Sequence, residues 1–236
     1  MLGALGWGAL AAASLLLGTV LALVRKTWSN GLVGGVLAFG AGALISSVAF
    51  ELAEEGLAVG GPVAVALGVV VGALAYFFAD RAVESIGGRV GGEADGLPLA
   101  LGALLDGIPE QAVLGIGLAT GQGVSVALLV AVFVSNVPEA IGSATDMRGA
   151  GKSTRLILGL WGAVTVVCVL ATLGGYALAD VVGGGLKAAI NGFAAGALLV
   201  MLVDQMVPEA KKKAGNRAGL ATVLGFAVAA GLSNLS

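Results

Sequence analysis

Histidine is absent from the 236 residues, and Cys168 is the one cysteine. Without imidazole there is no Ser-His-Asp hydrolase, no histidine proton relay and no histidine-ligated metal. One thiol leaves neither an intrachain disulfide nor a cysteine-based zinc site. Charge is scarce too: 11% of residues are Asp, Glu, Lys or Arg, against roughly a quarter in an ordinary soluble domain. The basic residues form no stripe for a nucleic acid, and a net charge of −2 selects no charged partner. The side chains left for chemistry carry oxygen.

Apolar residues are abundant. They make up 58% of the chain, and its mean hydropathy is +1.03. A water-soluble fold of this length cannot hide so much apolar surface, so the class is a polytopic membrane protein in a lipid bilayer. Many of the 41 glycines lie inside apolar runs, where small residues let membrane helices approach closely. Eight stretches supply the ~20 apolar residues that a crossing needs: roughly 2–24, 32–54, 60–79, 97–119, 123–146, 155–179, 186–207 and 217–235. The longest link, 80–96, mixes charge with glycine and reads as a solvated loop, which makes Asp80, Glu84, Glu93 and Asp95 loop charges. The whole chain, 1–236, reads as a single transmembrane domain. Its first stretch has no basic segment before it, and Arg25 and Lys26 come after it. It therefore reads as a retained helix, not a cleaved signal.

The basic residues orient the spans. Arg25 and Lys26 follow span one, Arg81 and Arg89 span three, and Arg148, Lys152 and Arg155 span five. Lys211, Lys212, Lys213 and Arg217 follow span seven. All but Lys187 of the 12 Lys and Arg residues thus fall on one side. The positive-inside rule puts that side in the cytoplasm of a plasma or inner membrane, and both termini outside. The lysine run 211–213 reads as an anchor near anionic lipid.

The sequence echoes itself. "FGAGALISSVAFELAEE" (39–55) in span two aligns with "FAAGALLVMLVDQMVPE" (193–209) in span seven, so Glu55 matches Glu209. "DGIPE" (106–110) in span four pairs with "SNVPE" (135–139) in span five. In each pair one helix runs outward and the other inward. The predicted fold is therefore an all-α membrane protein of eight transmembrane helices. An inverted repeat, helices 1–3 and 6–8, surrounds a central helix 4/5 pair. Such repeats are common in transporters, with substrate sites near the midplane.

The middle pair carries the polar residues at greatest depth. At 1.5 Å per residue, Asp106 and Glu110 lie near the bilayer centre, as do Asn136 and Glu139. A charge there costs at least ~2.5–3.5 kcal/mol, which makes it a functional candidate. Asp106 and Glu110 are spaced i, i+4, and Asn136 and Glu139 are i, i+3; Ser135 joins the second face at i, i+4. Pro109 and Pro138 have no N–H, so the carbonyls of Leu105 and Val134 lose their helical partners. A freed carbonyl beside a carboxylate suits a cation. Carboxylates gathered this closely must share protons or be neutralised by a cation. The plain alternative is protonated acids that hydrogen-bond between helices.

Other acids stand nearer the ends. Glu51, Glu54 and Glu55 lie at the outer end of span two, and Asp204 and Glu209 at the inner end of span seven. They read either as entry and exit vestibules for a cation or as ordinary helix-end charges among headgroups. Asp146, seven residues after Glu139 with Ser143 between, extends an inner route. Cys168, in an apolar stretch, reads as packing.

These motifs resemble those of the ZIP (Zrt/Irt-like) family of divalent-metal transporters. The resemblance covers most of the chain: eight spans, outward termini, the two Pro-Glu helices and the ending Pro208-Glu209-Ala210. It implies that Glu110 and Glu139 are the central metal carboxylates, with Asp106, Asn136 and Ser135 at ligand positions. Asp106 stands where the family usually has histidine, and Gly107 where it has a ligating asparagine. Gln111 and Ala140 replace motif glycines, and Gln111 is also a candidate for the entry or exit pathway. The family's helix-six carboxylate has no counterpart in 156–179. The resemblance further implies an elevator-like motion of the bundle with helices four and five, and a homodimer.

The expected function is uptake of a divalent metal toward the cytoplasm, with the metal as substrate and no cofactor. An Asp/Glu/Asn/Ser set favours Mn²⁺ or Fe²⁺ more than the family's histidine set does, and Zn²⁺ also accepts carboxylates. Protons should compete with the metal at acid pH. Two alternatives stand beside this reading. One is a ZIP-like membrane protein that has lost transport and acts as a sensor or scaffold. The other is a cation/proton exchanger of another family. An enzyme is not expected, because no nucleophile or base stands apart from these acids.

Overall fold

The structure, a computed structural model, describes residues 1–25, 27–89, 96–119 and 125–233. Within these, the side chains of 84, 86–89, 96–101, 103, 106, 180 and 181 lie outside the description. The described residues form helices and their links, with no strand. In chain order the helices are α1 (Leu2–Val24), α2 (Asn30–Gly60), α3 (Pro62–Arg89), α4 (Gly96–Ala119), α5 (Val126–Gly149), α6 (Thr154–Val181), α7 (Gly184–Ala214) and α8 (Arg217–Ser233). Among the described residues six are long and apolar enough to cross a membrane: α1, α2, α5, α6, α7 and the Pro62–Val83 part of α3. Helix α8 is a shorter apolar helix.

The outward faces are apolar. Leu67, Val70, Val71, Leu74 and Phe78 of α3 and Leu220, Val223 and Leu224 of α8 are all exposed. Contiguous apolar surface on this scale belongs to lipid, not water. The chain is a helical, multi-pass membrane protein.

Glycine sets the packing. Helix α4 lies along α6, α3 along α7, and α2 along α8, while α1 packs on both α5 and α6. A Cβ on Gly115 of α4 would collide with the Thr172 carbonyl of α6, and one on Gly175 with the Ala112 carbonyl. Backbones this close gain dispersion contact in a solvent that supplies no hydrophobic drive. Gly61, at φ +82°, ends α2 in a conformation that L side chains avoid, and Pro62 opens α3.

Two expectations change. The predicted loop at 80–96 is helical as far as Arg89. Asp80 to Ser85 contain no helix breaker, and polarity alone does not end a helix. Asp80 accepts a hydrogen bond from Gln205 Nε2 at 2.7 Å, so it ties α3 to α7 instead of sitting in a loop. Glu93, Asp95 and Lys26, also assigned to links, lie outside the described residues, as does the side chain of Glu84. The second change is within α2 and α7. Each contains a π-helical turn, at Val48–Ala53 and at Leu202–Met206. In α7, Pro208 withholds the N–H that the Asp204 carbonyl would use, which loosens the ladder there. In α2 no proline explains the turn.

Candidate metal centre

Helix α5 carries the second Pro-Glu motif between two glycine contacts. Gly18 of α1 lies so near that a Cβ there would stand 2.5 Å from the Val137 carbonyl oxygen and 2.8 Å from Ala140 Cβ. Gly40 of α2 approaches Ser135 almost as closely, with 2.9 Å from its would-be Cβ to Ser135 Cα. The motif is thus clamped by backbone on two sides. Ser135 is buried, and its hydroxyl donates to the Val132 carbonyl at 3.0 Å, which leaves lone pairs but no proton for another partner. Asn136 is 2% exposed, and its Nδ2 has no hydrogen-bond partner. A buried amide left in this way is costly unless something else occupies the site.

Helix α4 carries the first motif. Glu110 is 2% exposed. The backbone of Asp106 continues α4, and its side chain lies outside the described residues. Gly107 faces α6, where a Cβ would meet Cys168 Sγ at 2.7 Å. Gln111 is fully buried, and its Oε1 accepts the Thr172 hydroxyl of α6 at 2.7 Å. It therefore packs between α4 and α6. Helices α4 and α5 remain helical through Pro109 and Pro138.

Cys168 is the landmark that relates the two motifs. It is completely buried in α6 and lies within electrostatic reach of both Glu110 and Glu139. From its apolar surroundings in the sequence it reads as packing alone. Among the described residues, no three His, Cys, Asp or Glu side chains gather closely enough to hold a metal ion. The set read from the sequence would require Asp106 as well.

A cavity of about 180 Å³ opens from Glu139. Ser143 and Asp146 line it from α5, and Gln205, Glu209 and Lys213 from α7. Ser143 Oγ is buried with no hydrogen-bond partner. Two acids read as an inner route, Asp146 and Glu209, thus share one space with the proposed ligand Glu139. Asp204 does not: it is exposed and borders an apolar groove with Val69 and Phe77 of α3. Gln205 and Lys213 are polar lining residues that the sequence did not point to.

At the other end, Glu51 sits on the α2 π turn beside Ser125, the N-cap of α5, and next to Glu55. Glu55 has Lys187 and Asn191 of α7 as neighbours, while Glu54 is exposed. Asn191 is 2% exposed, and its Oδ1 lacks a hydrogen-bond partner. It too went unread in the sequence, although an amide inside an apolar span is a visible signal.

Arg148 fixes the ends of two helices together. Its Nη1 donates to the carbonyls of Ala22 and Leu23 at 2.9 and 3.1 Å, which caps the C-terminus of α1.

No family model matches the chain. It is 27% identical over 194 residues to a protein of Arabidopsis thaliana named "Putative zinc transporter". The similar stretch covers 78% of this chain but 30% of the plant protein's length.

Proposed function

We propose that the chain is a divalent-metal transporter of the ZIP type, with its substrate site between α4 and α5. The cavity that joins Glu139 to Asp146 and Glu209 carries this reading, because it gives a midplane carboxylate an acid-lined way out. Glu110 and Glu139 are the central ligands, with Asp106, Asn136 and Ser135 around them. The orphaned Asn136 amide and the shared nearness of Glu110 and Glu139 to Cys168 support convergence of the two motifs. Glu51 and Glu55 form the outer entrance. The plant protein's name supports a metal as cargo.

The proposed architecture has eight crossings in one domain, with both termini outside the cell. Exchanging helices 1, 2 and 3 with 6, 7 and 8, and 4 with 5, turns the α3–α7 contact into α8–α2 and α1–α5 into α6–α4. Both members of each pair are extensive contacts, which supports an inverted repeat. The paired π turns of α2 and α7 support it too. The oxygen-rich ligand set favours Mn²⁺ or Fe²⁺ and accepts Zn²⁺. A homodimer remains part of the proposal on resemblance alone.

The protein in liposomes, with Mn²⁺, Fe²⁺ and Zn²⁺ offered in turn, tests this reading. Flux of one or more metals is the expected result, lost in Glu110→Gln and in Glu139→Gln. Equal flux in both variants would remove the site. A second reading, a ZIP-like protein that binds without transporting, draws on Gly107, which offers no side chain where a ligand is expected. Tight metal binding without flux would favour it.

A further inference from the structure

Lys213 ends differently from its neighbours in the lysine run. Lys211 reaches Asn216 at 2.8 Å, away from the cavity. Lys212 is 81% exposed and its Nζ stands 3.8 Å from Glu209. Lys213 is 22% exposed, and its Nζ pairs with Glu209 Oε1 at 3.0 Å. Its stem leans on α2, where a Cβ at Gly34 would meet Lys213 Cβ at 2.6 Å. Its ammonium lies over Gly142 of α5, 3.2 Å from where a Cβ would be. The side chain therefore runs from α7 past α2 to α5, across the cavity that Glu139, Ser143 and Asp146 line.

We propose that Lys213 is a tethered cation in the inner mouth of this cavity, and that a metal ion passing Glu139 leaves by displacing it from Glu209. The second half rests on the transporter reading; the occupancy of the mouth does not. The arrangement has a chemical consequence. At equal distance, a divalent ion attracts a carboxylate twice as strongly as an ammonium does. A monovalent ion gains nothing over the ammonium already present. Lys213 thus excludes Na⁺ and K⁺ from the exit while Glu209 stays neutralised between passages. The outer end is built alike, for Glu55, the sequence counterpart of Glu209, has Lys187 as its cationic neighbour.

Cys168 is 0% exposed, so a cysteine placed at Ser143 reports on the cavity alone. The experiment compares its modification by a cationic and an anionic methanethiosulfonate of similar size. Lys213→Met and Lys213→Gln are each expected to raise the cationic-to-anionic rate ratio about tenfold, the scale at which a lining charge acts on encounter rates. Lys213→Arg keeps the ratio, and Lys212→Met leaves it unchanged. No rise in the Met and Gln variants, or an equal rise in Lys212→Met, overturns the occupancy. In liposomes with Ser143 intact, Lys213→Met is expected to admit Rb⁺, which the unaltered protein excludes. Absence of Rb⁺ entry, with divalent flux unaltered, overturns the displacement step. If the unaltered protein carries no divalent metal, the transporter reading fails, and the labelling ratio still decides where Lys213 sits.

Discussion

Thr172 of α6 donates its hydroxyl to Gln111 of α4 across 2.7 Å, and both residues are fully buried. The bond sits between Gly115 and Gly175, where the two backbones are closest. It locks α4, and with it Glu110, to α6. Thr172→Val leaves Gln111 Oε1 without its donor, an amide whose Nε2 is already unpartnered. The expected loss is about 1–3 kcal/mol, read as a lower thermal midpoint in detergent. Gln111→Met combined with Thr172→Val removes both polar groups and is expected to recover most of it.

Glu110 and Glu139 answer to different surroundings. Glu110 is 2% exposed, whereas Glu139 borders the cavity. Glu110→Gln and Glu139→Gln keep shape and remove charge. Even changes outside a metal's direct ligands cost roughly 10–100-fold, so on the proposed transporter reading each variant is expected to lose at least that much flux. A liposome assay with the preferred metal measures it. The thermal midpoints should not fall, because a neutral amide is cheaper to bury than a carboxylate.

Much of this was legible in the sequence, for reasons particular residues make plain. Leu67 to Phe78 declared a lipid-facing helix by composition, and two Pro-Glu motifs stood out as polar groups in apolar runs. Faces were harder to read than positions. Asp204 drew attention as an acid, yet it lies five residues from Glu209, while Gln205 lies four away and shares its cavity. Helical spacing alone favoured Gln205. Lys213, also four residues from Glu209, was hidden because a lysine near headgroups normally reads as an anchor. The α2 π turn had no sign at all: Val48–Ala53 has neither proline nor glycine. The solvated loop failed as far as Arg89 because charge was mistaken for a break, when only Gly87 and Gly88 between Asp80 and Arg89 disfavour helix.

Asp80 and Gln205 test that correction. Their 2.7 Å hydrogen bond joins α3 to the π turn of α7. A loop charge would tolerate Asp80→Ala. A bond from an amide to a carboxylate contributes about 1.5–3 kcal/mol, so Asp80→Ala is expected to lower the thermal midpoint. Asp80→Asn should lower it less, since the amide oxygen still accepts. Gln205 also lines the inner cavity, so on the proposed transporter reading metal flux in Asp80→Ala should fall while that of Asp80→Asn stays closer to normal.

Gly107 and Cys168 form the last testable pair. A Cβ at 107 would stand 2.7 Å from Cys168 Sγ, closer than carbon and sulfur can approach. Gly107→Asn, which places there the asparagine that the ZIP resemblance implies, therefore strains the α4–α6 contact. Overpacking of this kind costs about 1–3 kcal/mol. Cys168→Ala removes the sulfur and opens the space. Alone it should cost little, and with Gly107→Asn it should relieve most of the strain. A double-mutant cycle read by thermal unfolding is expected to give a favourable coupling of about 1–2 kcal/mol, within the range for residues in contact. Additive losses would mean that Gly107 is small for another reason, and that the sulfur does not decide which side chain position 107 accepts.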